Sequence, residues 1–503
     1  MVARFLRWTG WRDLGGVFGR PQLAIYGLMF SILIFLNVDF AILRSMRSAL
    51  VVADIIGSAS YIPCFELFGT LPAAVLMTYG LGRLLHRTSI QRVFGMALAT
   101  FILFFLLSTF VLYPNLATYA QAVRGWSWLP AHDWFASLVA PGFCLLFYVM
   151  SELWKVGLIT LLFWGLMNRH FGASQAKVLY VPLMLAGSVG AMLASPCIQC
   201  SALIASWMAP LDRAAQWNGA LVIMTLWVTL LGLLSVLAYA RLEGRLSAQG
   251  DHPTAPGEMK PKRSPTQFTL WESVRTCLGS RSTFLLAWIV VVEYVAYSVG
   301  EVIFLEVLKE RFPAPVDYCA WMGNLSLLTG LLTALCALFV APWVLRTCRW
   351  AVAALATPIG LLVSQAVFYV ALLGLGSPAW LGIAKMHWIE IIVLVGSLQY
   401  SLCRAIKYTL FDPSKELVFV LMPPEQQIRS KLVIDGICAR VGRGGAAIFS
   451  VSVIQLFGSI AQSIPVTSCI ALSMTVTWIM ATAKLGRLVD RRGDMEKPLV
   501  ART

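Results

Sequence analysis

Charged residues are scarce in this chain. Asp, Glu, Lys and Arg make up only 13% of its 503 residues, whereas hydrophobic residues make up 59%. In a soluble domain about a quarter of the residues are charged. The composition therefore excludes a soluble enzyme, a disordered chain and a secreted disulfide scaffold, and it predicts an all-α polytopic membrane protein. A membrane β-barrel is excluded as well, because the apolar stretches are continuous and do not alternate with polar residues.

Motifs for catalysis and metal binding are also missing. The sequence has no Walker A motif, no HExxH and no GxSxG, so neither ATP hydrolysis nor common hydrolase chemistry has support. The five His are scattered, and the CxxC at Cys197 and Cys200 has no His nearby. We interpret this CxxC as incidental and predict no metal, no cofactor and no enzymatic activity. Whether its two thiols form a disulfide stays open.

Apolar stretches long enough to cross a membrane occur twelve times. Each has about the length needed for a hydrocarbon core of ~30 Å. The fourth is longer than the others and has room to tilt or bend. The stretches are 22–42, 62–82, 93–113, 136–166, 178–196, 218–240, 283–304, 320–342, 350–374, 387–403, 436–457 and 463–483.

The basic residues are distributed unevenly among the connections. With a cytoplasmic N-terminus, the segments on the inner side hold 29 of the 39 Lys and Arg. This asymmetry predicts that both termini are cytoplasmic. It also accounts for the net charge of +15. We therefore expect the lipid bilayer as a partner, and not nucleic acid.

The organisation of the chain is a six-plus-six arrangement. We predict a cytoplasmic N-terminus 1–21, a six-helix half 22–240, a cytoplasmic linker 241–282 rich in Pro and charge, a second half 283–483 and a cytoplasmic C-terminus 484–503. Two six-helix halves joined by a basic linker are typical of major-facilitator-type transporters.

Ionisable residues inside the apolar stretches are the informative ones. Each costs roughly 2.5–3.5 kcal/mol on insertion scales, so such residues usually face a cavity and have partners. Several are cationic and both halves contribute, which favours a cavity for an anion over isolated structural salt bridges. The set comprises Glu66, Glu152, Lys155, Glu293, Glu301, Arg440 and Arg443, with Arg44, Arg47, Arg404 and Lys407 near the ends of stretches.

Five segments together resemble the bacterial and plastid ATP/ADP translocase family, which is unrelated to the mitochondrial carriers. They are Ile42–Val52, Phe147–Trp154, Leu161–Trp164, Asp317–Asn324 and Lys407–Glu416. The resemblance covers nearly the whole chain. It implies twelve spans, a major-facilitator-like fold and transport of nucleotides such as ATP and ADP, by exchange or by proton-coupled import.

The resemblance also assigns functional residues. Glu152 and Glu301 match acidic residues of the family, and Arg44 matches an Arg. Arg47 and Arg443 stand where the family has Lys. The last segment is similar to the family pattern at Lys407, Asp412, Lys415 and Glu416.

The chain departs from the family at five positions. It has Glu66 and Leu305 where the family has Lys, Ser45 and Ser48 where it has Asp, and Lys155 where it has Gly or another small residue. Because the change at Glu66 reverses a charge, proton-coupled transport of another anionic metabolite, such as NAD, remains an alternative. A structural membrane protein with static charge pairs is the alternative from another class.

We therefore predict a nucleotide transporter that works by alternating access, as a monomer in a bacterial inner (plasma) membrane. The substrate-binding residues are expected to be Arg44, Arg47, Lys155, Lys407 and Arg443. Glu66, Glu152 and Glu301 are expected to act in gating or proton coupling, since a carboxylate in an apolar cavity can titrate near neutrality.

The predicted orientation can be tested by cysteine labelling. A cysteine introduced in 250–256 should react with an impermeant thiol reagent only after the cells are permeabilised, because the linker faces the cytoplasm. A cysteine introduced at 209–212, within the predicted outer segment 197–217, is the matched control and should react in intact cells. Labelling of the linker in intact cells would refute the orientation.

Overall fold

The computed structural model describes residues 20–125, 132–170, 173–248, 275, 279–373, 385–420, 422 and 424–495. In these ranges the chain forms helices joined by short turns, and they contain no β-strand. Most of the predicted linker 241–282, nearly all of the N-terminal segment 1–21 and the end of the C-terminal segment 484–503 lie outside the described residues.

Twelve helices are long and apolar enough to cross a membrane, which confirms the number predicted from the sequence. We label them in chain order α1 Ala24–Asp54, α2 Tyr61–Leu85, α3 Ile90–Arg124, α4 Val139–Met167, α5 Leu185–Met208, α6 Arg213–Arg245, α7 Arg281–Arg311, α8 Pro315–Val344, α9 Trp350–Leu373, α10 His387–Phe419, α11 Val433–Phe457 and α12 Ile460–Val489.

Four helices, α1, α3, α5 and α10, extend well beyond the apolar stretches that predicted them, and two of these extensions carry predicted site residues. Helix α1 continues past residue 42 to Asp54, and α10 continues past residue 403 to Phe419. Arg44, Arg47, Arg404 and Lys407, which the sequence placed near the ends of spans, therefore lie inside continuous helices. The hydropathy pattern missed these ends because two cations interrupt the apolar run at each of them.

Several spans contain π-helical segments, in which the backbone hydrogen bonds join residues five apart instead of four. Helix α4 has one at Lys155–Phe163, α10 at Lys407–Phe411 and α2 at Phe65–Thr70. Such segments interrupt the regular backbone ladder and are frequent at functional sites. Three of the predicted site residues, Glu66, Lys155 and Lys407, lie in them.

The helices form two compact units. The first comprises residues 1–50, 72–260 and 314–330. Within it, α1 packs against α4, α5 and α6, and α3 packs against α6. Helix α1 is thus the central helix of this unit.

The second unit comprises residues 51–71, 261–313 and 331–503. Within it, α7 packs against α10, α11 and α12, and α9 packs against α12. Each of these contacts has its counterpart six helices earlier, where α1 takes the place of α7 and α3 that of α9. The packing therefore repeats the same arrangement in both units.

Small residues account for the close approach of several helices. A Cβ added at Gly190 of α5 would lie 2.6 Å from the Asn37 Cβ of α1, and one added at Gly442 of α11 would lie 3.0 Å from the Val291 carbonyl oxygen of α7. Gly190 lies in the small-residue segment 186–193 and Gly442 in the small-residue segment 442–449. Their role is helix packing.

The contact at Gly190 gives a stability prediction. Gly190→Ala should lower the free energy of unfolding by about 1–3 kcal/mol, because the added methyl group meets the Asn37 side chain and nearby backbone. Gly95→Ala is the matched control, since nothing lies within 4 Å of a Cβ there. Thermal unfolding of the purified variants in detergent measures both. Equal stability of the two variants would contradict the packing role.

Candidate functional site

The charged residues predicted to act in transport are concentrated on the most buried spans. Half or more of the central residues of α1, α4, α7 and α10 are buried, against 17% for α2 and α8. Arg44 and Arg47 lie on α1, Glu152 and Lys155 on α4, Glu301 on α7, and Lys407 on α10. These four helices would otherwise be expected to carry only apolar side chains.

In the first unit, Arg47 and Glu152 form an ion pair. The Arg47 Nη2 atom contacts the Glu152 Oε1 atom, and the side chains are 7% and 19% exposed. The Arg47 guanidinium also lies over the Tyr148 ring, with its Cζ atom 4.4 Å from the ring centroid. The pair joins α1 to α4 and satisfies two charges that would be costly if left alone in this environment.

A buried tryptophan fixes the position of this pair. The Trp154 Nε1–H group donates a hydrogen bond to the Leu36 carbonyl oxygen at 3.1 Å, which links α4 to α1. Phe101 and Phe105 of α3 pack against the same indole ring. The motif Phe147–Trp154 thus supplies Tyr148 beneath Arg47, the Glu152 carboxylate of the ion pair, and Trp154, which anchors α4 to α1.

Two further cations lie beside the pair. Arg44 is half-buried on α1, and Lys155 is exposed, with its Nζ atom 5.4 Å from the Phe40 ring centroid. Both lie within electrostatic range of Glu152. The cluster of Arg44, Arg47, Lys155 and Glu152 therefore contains three cations and one carboxylate, which gives it an excess of positive charge.

The departures from the family pattern increase this excess. Ser45 is at one of the two positions where the resemblance implied Asp, and its hydroxyl group donates a hydrogen bond to the Ala41 carbonyl oxygen of its own helix at 3.1 Å. Ser48, at the other such position, is buried. The cluster consequently lacks two carboxylates that the family pattern would place there.

Among the described residues, the second unit contains three ion pairs between α7 and α10. One joins Arg311 to Glu390 near the ends of the two helices, and the other two involve predicted site residues. The Arg404 Nη2 atom lies 2.8 Å from the Glu301 Oε2 atom, and the Arg404 guanidinium lies 4.1 Å from the Tyr400 ring centroid. The Lys407 Nζ atom lies 2.7 Å from the Glu293 Oε1 atom and 3.5 Å from the Asp412 Oδ1 atom. Lys407, a predicted substrate-binding residue, is thus held by two carboxylates in this conformation.

The two clusters share one sequence pattern. Tyr148, Glu152 and Lys155 on α4 have the same spacing as Tyr400, Arg404 and Lys407 on α10, and in both helices the Lys begins a π-helical segment. The sign of the middle residue is reversed, and so is the sign of its partner on the central helix. This repeat was missed in the sequence because the two segments share only tyrosine and lysine, although the spacing Tyr-x3-charged-x2-Lys was visible there.

Arg443 on α11 is exposed and lies beside Tyr294 of α7. Its Nη2 atom donates a hydrogen bond to the Tyr294 hydroxyl oxygen at 3.4 Å, and its Cζ atom lies 4.9 Å from the ring centroid. Gly442 and Gly444 on either side are buried against neighbouring helices. The small neighbours thus leave the guanidinium accessible.

The remaining charges of the motif Lys407–Glu416 tie α10 to the following segment. The Lys415 Nζ atom lies 2.7 Å from the Asp435 Oδ1 atom, and the Lys431 Nζ atom lies 2.6 Å from the Glu416 Oε2 atom. The Trp350 Nε1–H group donates to the Ser414 carbonyl oxygen at 2.9 Å. These contacts connect the end of α10 to α9 and to the segment that follows it.

Glu66 lies half-buried in the π-helical segment of α2, and it belongs to a different unit from Lys155. Its gating or proton-coupling role stays a prediction. Cys197 and Cys200 are one turn apart on α5 and both thiols are free. Among the described residues, no group of three or more His, Cys, Asp and Glu is arranged to hold a metal ion.

Sequence reasoning missed several residues of these clusters. Glu293 was noted for its depth but not as the partner of Lys407, because the two are more than a hundred residues apart. The tyrosines under the arginines, Tyr148 and Tyr400, were not singled out. Asp39 of α1 was not singled out, although its position within an apolar stretch was a visible signal.

Solved structures with a similar fold are transporters. A bacterial homologue of the iron transporter ferroportin in its inward-facing state has a TM-score of 0.60 and 15% identity, covering 92% of this chain and 99% of that chain. A mutant of the nucleoside transporter NupG has a TM-score of 0.60 and 12% identity, with coverage of 92% and 99%. The chain is therefore an all-α multi-pass membrane protein with the predicted major-facilitator-like fold.

The chain belongs to the TLC ATP/ADP transporter family, which it matches over residues 22–488. It is 28% identical over 470 residues to ADP,ATP carrier protein 1 of Chlamydia trachomatis serovar D, covering 92% of this chain and 88% of the relative. It is 29% identical over 469 residues to the chloroplastic ADP,ATP carrier protein 2 of Arabidopsis thaliana, with coverage of 91% and 73%. The resemblance found in the sequence is confirmed, as is the prediction of a nucleotide transporter that is not an enzyme.

The ion pair of the first unit can be tested by a double-mutant cycle. Arg47→Met and Glu152→Gln should each lower the free energy of unfolding by about 3–5 kcal/mol, because each strands a buried charge. The double variant should lose less than the sum of the two. Unfolding of the purified proteins in detergent gives these values.

An exposed pair supplies the control for that cycle. Arg213 and Asp317 lie 3.4 Å apart with side chains 66% and 46% exposed. Arg213→Met and Asp317→Asn should each change the free energy of unfolding by less than about 1 kcal/mol. Additive losses at Arg47 and Glu152, equal to those of the control pair, would show that the buried pair contributes nothing.

Proposed function

We propose that this protein carries nucleotides such as ATP and ADP across a bacterial inner (plasma) membrane by alternating access. The observation that supports the proposal best is the excess of positive charge in the cluster of Arg44, Arg47 and Lys155 around one carboxylate. Phosphate groups are polyanions, and arginine offers them a planar, bidentate set of donors. The names of the chlamydial and plastid relatives, ADP,ATP carrier proteins, support the same substrate class.

Glu152 has the arrangement expected of a gating residue. In this conformation the Glu152 carboxylate is paired with the Arg47 guanidinium. A substrate phosphate therefore has to compete with Glu152 for the same N–H donors. A phosphate that binds Arg47 would release Glu152 and weaken the link between α1 and α4. A ligand shifts a conformational equilibrium only through such differential contacts, and here the contact involves two packed helices.

The second unit has the same kind of ion pair, but here the acid is on the central helix α7 and the cation on its partner α10. Glu301 on α7 holds Arg404 on α10, and Glu293 holds Lys407. A phosphate attracted to Lys407 or Arg404 would compete with these carboxylates. Arg443, accessible between its glycines, is the cation of this unit that we expect to contact substrate first.

Localisation and assembly follow from the same features. We propose that both termini are cytoplasmic, because the basic residues accumulate on that side of the predicted topology. Each unit carries its own charge cluster, so a monomer is sufficient for the cycle. We expect no interaction with nucleic acid, since the positive charge outside the spans is explained by orientation.

Exchange and proton-coupled import are alternative modes of this transporter. Proton-coupled uptake of another anionic metabolite, such as NAD, uses the same cation cluster and is the second candidate. It is favoured by Glu66, an acidic residue where the family pattern has Lys. Uptake that is insensitive to an uncoupler, together with release of internal nucleotide, would support exchange.

The role of Arg443 gives a transport prediction. Arg443→Ala should abolish uptake of labelled ATP and ADP into intact cells expressing the protein, because the accessible cation is lost. Arg443→Lys should retain part of the uptake, since the charge survives while the bidentate fork is lost. Arg245→Ala, at an exposed position near the end of α6, is the matched control and should transport normally.

Membrane abundance of each variant has to be measured alongside uptake. Normal uptake by an Arg443→Ala variant present at wild-type level would limit Arg443 to a structural role. Labelled NAD, offered to the same cells, distinguishes the second candidate from the first.

A further inference from the structure

The carboxyl group of Asp39 is buried at the midpoint of α1. The residue is 0% exposed, and neither of its oxygens has a hydrogen-bond partner among the described residues. Its neighbours along the helix, Val38, Ile42 and Leu43, are buried as well. Every other carboxylate described above on α1, α4, α7 and α10 has a cationic partner.

The surroundings of Asp39 offer little to a negative charge. Helix α1 packs against α4, α5 and α6. Of the cations nearest in sequence, Arg47 is paired with Glu152, and Arg44 lies within electrostatic range of Glu152. Of the facing groups, the Cys197 thiol of α5 lies within electrostatic range of Asp39 and carries no positive charge.

The ionisable groups on the three neighbouring helices are few. Helix α6 carries its groups toward its two ends, and α4 directs Glu152 to Arg47. The full set is Cys144, Tyr148, Glu152 and Lys155 on α4, Cys197 and Cys200 on α5, and Arg213, Tyr239, Arg241, Glu243 and Arg245 on α6.

A carboxylate in such a place is stable only in its neutral form. Burying an ionised group without a partner costs far more than protonating it. Asp39 therefore holds a proton in this conformation. A metal cation would need several oxygen ligands, and no metal-binding group of acidic, His and Cys residues exists among the described residues.

A structural explanation for Asp39 is weak. A buried polar group normally makes a hydrogen bond that contributes to the fold, and the Asp39 carboxyl group makes none with the described residues. Ionisable residues kept inside membrane helices at this cost mark proton and ion pathways. Gly190 of α5 lies directly against Asn37, which is two residues before Asp39 on α1. This tight α1–α5 contact separates this part of α1 from water.

We propose that Asp39 is the proton-binding site of the transport cycle, which carries one proton with each movement of α1. The group takes up a proton from water on one side as it becomes buried. When α1 and α5 separate, Asp39 releases this proton to water and becomes a carboxylate. The proposal rests on the proposed function, since it concerns the coupling of that transport.

Infrared spectroscopy tests the protonation state without substrate. The purified protein at neutral pH should show a carboxylic acid C=O stretching band that shifts in D2O. Asp39→Asn should remove the band, whereas Glu152→Gln should leave it, because Glu152 is ionised in its pair. A band that persists in Asp39→Asn would overturn the proposal.

Transport in liposomes tests the coupling. A pH gradient should stimulate uptake of labelled nucleotide by the wild-type protein several-fold, and a Na+ gradient should not. Asp39→Asn, which mimics the protonated form, should still exchange internal for external nucleotide but lose the stimulation. Asp39→Ser serves as the second variant if the first fails to fold.

The outcomes separate the coupling from the transport itself. Wild-type liposomes that take up no nucleotide would refute the proposed function, while the infrared result would stand independently. Wild-type uptake that ignores the pH gradient, or follows Na+, would overturn the role of Asp39 in coupling. Stimulation by the pH gradient that survives in Asp39→Asn would also overturn it.

Discussion

A charge inside a membrane-spanning helix is stable only when an opposite charge meets it, and this constraint determines how the central helices of this protein are arranged. Arg47 needs Glu152, so α1 and α4 must lie together. Glu301 and Glu293 need Arg404 and Lys407, so α7 and α10 must lie together. Since an isolated charge at this depth would cost several kcal/mol, each pair links its helices strongly while both partners remain in place. We propose that the same cost makes each pair responsive to a competing anion, because a phosphate in place of the carboxylate would keep the cation paired.

The two units solve this problem with the same geometry and opposite signs. In the first, the cation is on the central helix and the acid on its partner; in the second, the positions are exchanged. The spacing from Tyr148 through Glu152 to Lys155 returns in Tyr400, Arg404 and Lys407. A tyrosine ring supports the arginine of the pair in both cases. Conservation of spacing with reversal of sign is compatible with the constraint, which fixes only that the charges be opposite.

Apolar packing holds these pairs in register. Trp154 ties α4 to α1 through the Leu36 carbonyl oxygen, and the Tyr297 hydroxyl ties α7 to α10 by donating to the Cys403 carbonyl oxygen at 2.8 Å. Glycines such as Gly190 and Gly442 allow the central helices to approach their neighbours closely. Interfaces of this kind have a limited number of arrangements, since small residues fit only where the backbones meet. A change at an ion pair is therefore expected to move whole helices.

The sequence by itself determined the class of fold, the number of spans and the family. Twelve apolar stretches are a property of composition along the chain, because the length of a span is set by the bilayer and not by distant residues. The motif Phe147–Trp154 and the charges around it were also visible, and the family resemblance pointed to Glu152, Glu301 and Arg443. The ends of α1 and α10 were not visible, since hydropathy falls where Arg47 and Lys407 enter a helix that neighbouring helices stabilise.

Only the tertiary structure decided which charges meet. Lys155 lies only three residues from Glu152 in the sequence, whereas the structure pairs Glu152 with Arg47, more than a hundred residues away. Local spacing favours neighbours on one helix, but the cost of burial is met by whichever opposite charge the packing brings within reach. Asp39 illustrates the same limit of sequence analysis for a residue without a partner among the described residues. Its position in an apolar stretch was readable in the sequence, but the absence of a partner among the described residues is a property of the helices packed around it.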